Sequence, residues 1–185
     1  MHPSVDRNRP DIQTQIQFRF PKARLLHRLD FGTSGILVFG FTQEAQQYLK
    51  QADKFYLCMI EGHLVRQGQI KLYLKEKQRK MQVVRSGGKV AVTEFSTLCE
   101  TPKYSLVKAR LITGRRHQIR VSLAEYKCPI VGDSLYGGKC YERLMLHAVE
   151  INLKGRRIYS PVPNLLKIEF PEFDFGSYNW FSPGK

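Results

Sequence analysis

At 185 residues and 21.5 kDa, with 42% hydrophobic residues, the chain is large enough for one domain with a sizeable core. Its 30 Lys and Arg against 16 Asp and Glu give a net charge of +14, which favours a polyanionic partner through phosphate neutralisation and counterion release. No apolar run approaches the ~18 residues of a spanning helix and no basic amphipathic anchor is present, so nucleic acid is expected rather than a membrane. Cys58, Cys99, Cys128 and Cys140 are widely spaced without a C-x-x-C pair, and the five His residues lack ligand spacing. That argues against a metal site and for reduced thiols in a reducing compartment, the cytoplasm. Met1 to Pro10 is polar and contains proline, unlike a secretory signal.

Residues 1–22 read as a polar arm, with Ile16, Phe18 and Phe20 alternating late enough for a short helix or an edge strand. Ala23 to Leu26 is mostly apolar and runs into the charged knot His27-Arg28-Leu29-Asp30; Gly32-Thr33-Ser34-Gly35 and a second apolar run, Ile36 to Phe41, follow. The pattern is strand, tight turn, strand, with glycine supplying positive φ. A carboxylate beside an arginine at such a bend is a candidate reactive group. Taken alone, Asp30 fits better as a turn cap bonding the Thr33 or Ser34 amide.

Thr42 is placed to cap a helix carrying Ala45, Tyr48 and Leu49 at i, i+3 and i+4. Phe55 to Ile60 is a continuous apolar run suited to a central strand, and Ile70, Leu72 and Leu74 alternate with Lys71, Tyr73 and Lys75 as in a half-buried one. The basic run from Lys75 to Lys80, with Lys77 and Arg79, is either a solvated face or an RNA-phosphate contact. Ser86-Gly87-Gly88 reads as a hairpin turn into Val90 to Leu98. Tyr104 to Ile112 is another strand; from Arg116, Ile119, Leu123 and Ala124 are spaced for a helix on the sheet. Cys128 to Gly138 is a glycine-rich loop, and Leu144 to Leu153 and Arg157 to Phe170 are the last strands, interrupted by Gly155 and by Pro161 and Pro163, before an aromatic tail. The class is α+β, with a mixed, mainly antiparallel central sheet flanked by helices. The expected division is an arm (1–22), one domain (23–170) and a tail (171–185).

His27-Arg28-Leu29-Asp30 with Thr33-Ser34-Gly35, then Lys54-Phe55-Tyr56-Leu57, then Thr113-Gly114-Arg115-Arg116-His117-Gln118-Ile119-Arg120, then Pro129-Ile130-Val131-Gly132-Asp133 with Leu135-Tyr136-Gly137 stand in an order that resembles the RluA-type family of RNA pseudouridine synthases. Leu146-His147-Ala148 also matches. The resemblance implies a cofactor-free, monomeric enzyme that isomerises uridine in transfer or ribosomal RNA, with a cleft across the sheet. It places the catalytic carboxylate at Asp30, acting either at uracil C6 or at the sugar. It pairs Arg115 with that carboxylate, stacks Tyr56 on the target uracil, and lets Arg28 fill the gap left by the extruded base. Arg116 and Arg120 are expected as phosphate contacts or turn stabilisers, with Lys77, Arg79 and Lys80 as further RNA contacts. His27, Thr33 and Gly35 belong to the motif pocket, and Ile119 offers an apolar wall. His117 and Gln118 hold the motif turn, and Asp133 bonds backbone amides in its own turn. The family's upstream strand with its Lys-Pro loop has no match here, and the connection before Lys54 is short. These departures leave room for a rival: an RNA-binding protein or RNA chaperone on the same fold without catalysis. A hydrolytic carboxylate pair ranks last, since Glu44, Glu61 and Asp133 offer no convincing partner for Asp30.

Overall fold

The computed structural model describes residues 11–78 and 80–178. They fall into two compact units: one holds the described residues through Leu29 together with Leu37–Gln51, the other Asp30–Ile36 and everything described from Ala52 onward.

In the first unit, α1 (Ile12–Arg19) begins at Asp11, whose carboxylate accepts from the Thr14 amide at 2.9 Å. The arm therefore enters a helix rather than an edge strand. Strand β1 (Arg24–Leu25) pairs antiparallel with β3 (Phe39–Gly40). The backbone of Gly40 lies against Ala45 and Leu26, where a Cβ would come within 2.9 Å of three side-chain atoms. Helix α2 (Gln43–Lys50) starts as its sequence predicts, with Thr42 Oγ1 accepting from the Ala45 amide, and buries Leu49.

The second unit is an eight-stranded sheet. Seven strands run in the order β10-β9-β4-β8-β7-β5-β6, all antiparallel, and β2 (Ser34–Gly35) joins β9 in parallel. The mixed sheet of an α+β fold is thus present, and the two apolar runs flanking Asp30 pair antiparallel as expected, β1 with β3; what differs is the connection, where Ser34-Gly35 pairs with His147-Ala148 instead of completing the turn. Central β4 (Asp53–Glu61) buries Phe55 through Ile60 without a break, because β8 (Tyr104–Leu111) and β9 (Leu146–Leu153) flank it on either side. β5 (Gly68–Lys77) alternates as expected, burying Ile70 and Leu74 and exposing Lys71, Tyr73 and Lys75.

β6 (Lys80–Val83) and β7 (Lys89–Glu100) lie on opposite sides of β5, so Ser86-Gly87-Gly88 carries the chain across β5 instead of closing a hairpin. Helix α3 (Gln118–Glu125) packs Val121 into a cluster with Leu74, Met81, Ala91 and Tyr136. β10 (Arg156–Tyr159) is an exposed edge. The stretch expected to continue as strand to Phe170 is instead α4 (Asn164–Glu169). Pro161 and Pro163 end strand pairing, and Leu166 and Phe170, four apart, supply one buried helical face.

The far side of β9 carries an unusual buried group. Glu150 is fully enclosed opposite Phe55, and neither carboxylate oxygen has a hydrogen-bond partner. Burial pushes its carboxyl up from 4.5 to about 7, against the pull of Arg157 and Lys108. Because the folded state holds this proton more tightly, stability is greatest below the ordinary carboxyl range and falls as pH rises through about 7. Glu150→Gln is expected to leave stability at about pH 4 nearly unchanged and to raise it at about pH 8 by about 3 kcal/mol, the equivalent of that shift. Denaturant titrations at the two pH values check this; equal effects at both would remove Glu150 as the source.

Candidate active site

All the groups described next belong to the sheet unit. Asp30 sits at a tight turn in which the Thr33 amide donates to its carbonyl at 3.0 Å, with Gly32 at φ 84°. The backbone oxygen closes the turn, which leaves the carboxylate available for other partners. The loop is tied to the segment around β9 at three points. Arg143 Nη2 donates to the Gly32 carbonyl at 3.0 Å, Ser34 Oγ meets His147 Nδ1 at 2.8 Å, and the Ile36 amide donates to the Ala148 carbonyl at 3.0 Å. Gly35 is required here: at φ 108° its backbone runs so close to β9 that a Cβ would lie 2.1 Å from the Ala148 oxygen. Thr33 Oγ1 is buried without a hydrogen-bond partner.

The other half of the site comes from the turn into α3. The Gln118 side chain holds that turn, accepting from the Arg115 amide and Thr113 Oγ1 and donating to the Val92 carbonyl and Thr93 Oγ1. His117, in the left-handed region at φ 53°, precedes the helix, and Arg120 stands in its first turn. Arg120 is buried and grips Asp133 with two hydrogen bonds of 2.7 Å, from Nε and Nη2. Its remaining nitrogen, Nη1, lies 3.8 Å from Asp30 Oδ2. His117 Nε2 is 4.0 Å from Asp30 Oδ1. The Asp30 side chain retains 17% of its surface exposed. It is therefore flanked by a guanidinium and an imidazole, yet neither has closed to hydrogen-bond distance.

Several expected roles change. Arg115 is exposed and donates from Nε to the Val90 carbonyl at 2.9 Å; the arginine at Asp30 is Arg120. Arg120, expected as a phosphate contact or a turn stabiliser, has its fork on Asp133 inside the protein. Asp133, expected to bond backbone amides, instead gives its carboxylate to Arg120, while its carbonyl accepts from the Tyr136 and Gly138 amides. Arg116 pairs with Glu76. The inward-facing arginine left a signal in the sequence: Arg120 is three and four residues before Leu123 and Ala124, on the apolar stripe of the helix, where a charge survives only if paired.

Tyr56 lies on β4, and its phenol is pushed above the ordinary range by burial and, next, by the Asp30 charge. A register shift in the pairing of β4 with β9 falls between Phe55 and Tyr56, making Val149 an extra residue and re-aiming the side chains beside it. Ile119, on α3, is buried. Lys77 is exposed at the β5–β6 hairpin, Lys80 Nζ stands 4.8 Å from the Tyr136 ring centroid, and Arg79 lies outside the described residues. In the first unit, His27 Nε2 accepts from the Val38 amide at 3.2 Å and Arg28 is exposed. Tyr136, quoted in a motif but given no role from sequence, proves to touch both His117 and Arg120.

Cys58, Cys99, Cys128 and Cys140 are free thiols, and among the described residues no three His, Cys, Asp or Glu gather as a metal site would require. No described helix is long and apolar enough to cross a membrane.

The family described as RNA pseudouridylate synthase matches residues 6–125. A dual-specificity RNA pseudouridine synthase RluA from Yersinia pestis is 33% identical over 178 residues, covering 88% of this chain and 86% of that protein. A ribosomal large subunit pseudouridine synthase D from Xanthomonas campestris is 38% identical over 126 residues, which is 64% of this chain but 38% of the longer relative. Among solved structures, human RNA pseudouridylate synthase domain containing 1 is similar with a TM-score of 0.63 and 26% identity, over 82% of this chain and 73% of that one. The motifs, the sheet and these relatives agree: the chain belongs to the RluA-type family of RNA pseudouridine synthases, which are isomerases.

Proposed function

We propose that the chain converts uridine to pseudouridine in a transfer or ribosomal RNA, with Asp30 as the reacting carboxylate. The observation that carries this reading is the state of that side chain. It is partly exposed, anchored through its loop to β9, and set between Arg120 and His117 with hydrogen-bonding capacity still unspent. A carboxylate that merely capped its own turn would be bonded to the turn amides.

The isomerisation breaks the N1–C1′ bond, joins C5 to C1′, gives the C5 hydrogen to water and leaves a proton on N1. The base must leave the RNA stack to reach Asp30, at a cost of a few kcal/mol in unstacking. Tyr56, whose phenol feels the Asp30 charge, offers a flat face for the uracil. Arg120 orients the carboxylate and stabilises charge that develops near it. Arg28, exposed, is the candidate to occupy the vacated stack, and Arg116, Lys77, Arg79 and Lys80 are candidates for phosphate contact.

The reading is tested with unmodified transfer and ribosomal RNA transcripts carrying tritium at uracil C5. The native chain is expected to release label to water in step with pseudouridine found after nuclease digestion. Tight binding to these RNAs without any release would leave the RNA-binding alternative standing instead.

A further inference from the structure

Tyr136 is buried, and its hydroxyl lies 2.9 Å from His117 Nδ1 and 3.1 Å from the Met81 amide nitrogen. Its ring meets the imidazole edge-on, with centroids 5.6 Å apart at 88°. The Lys80 ammonium and the Arg120 guanidinium also sit over that ring, at 4.8 and 5.2 Å from its centroid. Position and orientation of the phenol are therefore fixed from several directions.

The hydrogen bonds around this phenol decide which nitrogen of His117 carries hydrogen. A backbone amide can only donate, so Met81 N–H donates to the hydroxyl oxygen, and among the described residues His117 Nδ1 is the acceptor in reach of the phenol hydrogen. With Nδ1 as acceptor, the neutral ring must carry its hydrogen on Nε2, the atom facing Asp30. The other tautomer would aim an Nε2 lone pair at a carboxylate and leave the phenol hydrogen without this acceptor. Burial holds the imidazole in its neutral form; Asp30 opposes that effect, Arg120 and Arg116 reinforce it, and Asp133 weakly opposes it.

We propose that Tyr136 is a positioning residue: it fixes His117 as the Nε2–H tautomer, so that the imidazole donates to the Asp30 carboxylate when substrate closes the 4.0 Å gap. The consequence for rate rests on the isomerase reading above, whereas the tautomer does not.

Nitrogen-15 NMR of the full chain at neutral pH, with labelled histidine, is the decisive experiment. The native protein is expected to show a pyridine-type Nδ1 and a protonated Nε2 for His117. Tyr136→Phe keeps the ring and its two cations but removes the hydroxyl. It is expected to give mixed tautomers and a kcat for tritium release about tenfold lower at unchanged KM. In His117→Gln the side-chain amide can reach Asp30 without any tautomer to set, so adding Tyr136→Phe to it should cost nothing further. A protonated Nδ1 in the native chain would overturn the proposal. So would a Tyr136→Phe protein with native tautomer and native rate, or losses that simply multiply in the double variant. A native chain that releases no tritium from any transcript would instead overturn the isomerase reading, and the NMR result would still decide the part played by Tyr136.

Discussion

Arg120→Met is expected to destabilise the protein by about 3–5 kcal/mol and to slow pseudouridine formation by about 10²–10³-fold. The stability loss follows from Asp133, whose side chain has no exposed surface and would lose both of its 2.7 Å hydrogen bonds while remaining inside. The rate loss follows from Asp30, which would lose the guanidinium 3.8 Å away. A second variant separates the two effects. Arg120→Met combined with Asp133→Leu removes the buried charge along with its partner, and apolar replacement of a buried pair is often neutral or better. It is expected to recover most of the stability and none of the activity. Arg115→Met, which gives up one exposed bond to the Val90 carbonyl, should stay within a few-fold of native rate and about 1 kcal/mol of native stability. Urea denaturation and tritium release on the four proteins check the ranking. An inactive but stable Arg115→Met beside an active Arg120→Met would restore the pairing that the sequence motif suggested.

That reassignment shows where sequence reading stops. Arg115, Arg116 and Arg120 crowd into six residues of one motif, and the resemblance alone gives the Asp30 pairing to Arg115. The start of α3 at Gln118 divides them. Arg120 turns inward with Ile119 and Leu123, while Arg115 stays in the turn against Val90. Strong periodic signals translated directly: the unbroken apolar run of β4, the alternation of β5 and the Thr42 cap all appear at their expected places.

Pairing was harder to read, because strand partners are chosen by long-range contacts. Ser34-Gly35 reads as part of a turn until Gly35 is seen pressed against the Ala148 carbonyl as a short parallel strand. The turn at Ser86-Gly87-Gly88 likewise signals a reversal without saying that β7 will cross to the other side of β5. The segment after Pro163 carries little local signal of a helix. Six residues are too few to establish a period, and only Leu166 and Phe170 on one buried face make the helix plain.

The central claim is that the carboxylate of Asp30 takes part in the reaction, and Asp30→Asn isolates it at one functional group. Asparagine keeps the shape of the side chain and its place between Arg120 and His117 but removes the charged, nucleophilic oxygen. The measurement is tritium release from C5-labelled RNA by the native and Asp30→Asn chains at equal, saturating protein, with a binding titration and a thermal melt on the same samples. The account predicts a variant that melts like the native protein, binds the RNA about as tightly through its phosphate contacts, and releases no label above background. Release at the native rate by a folded Asp30→Asn protein would contradict it.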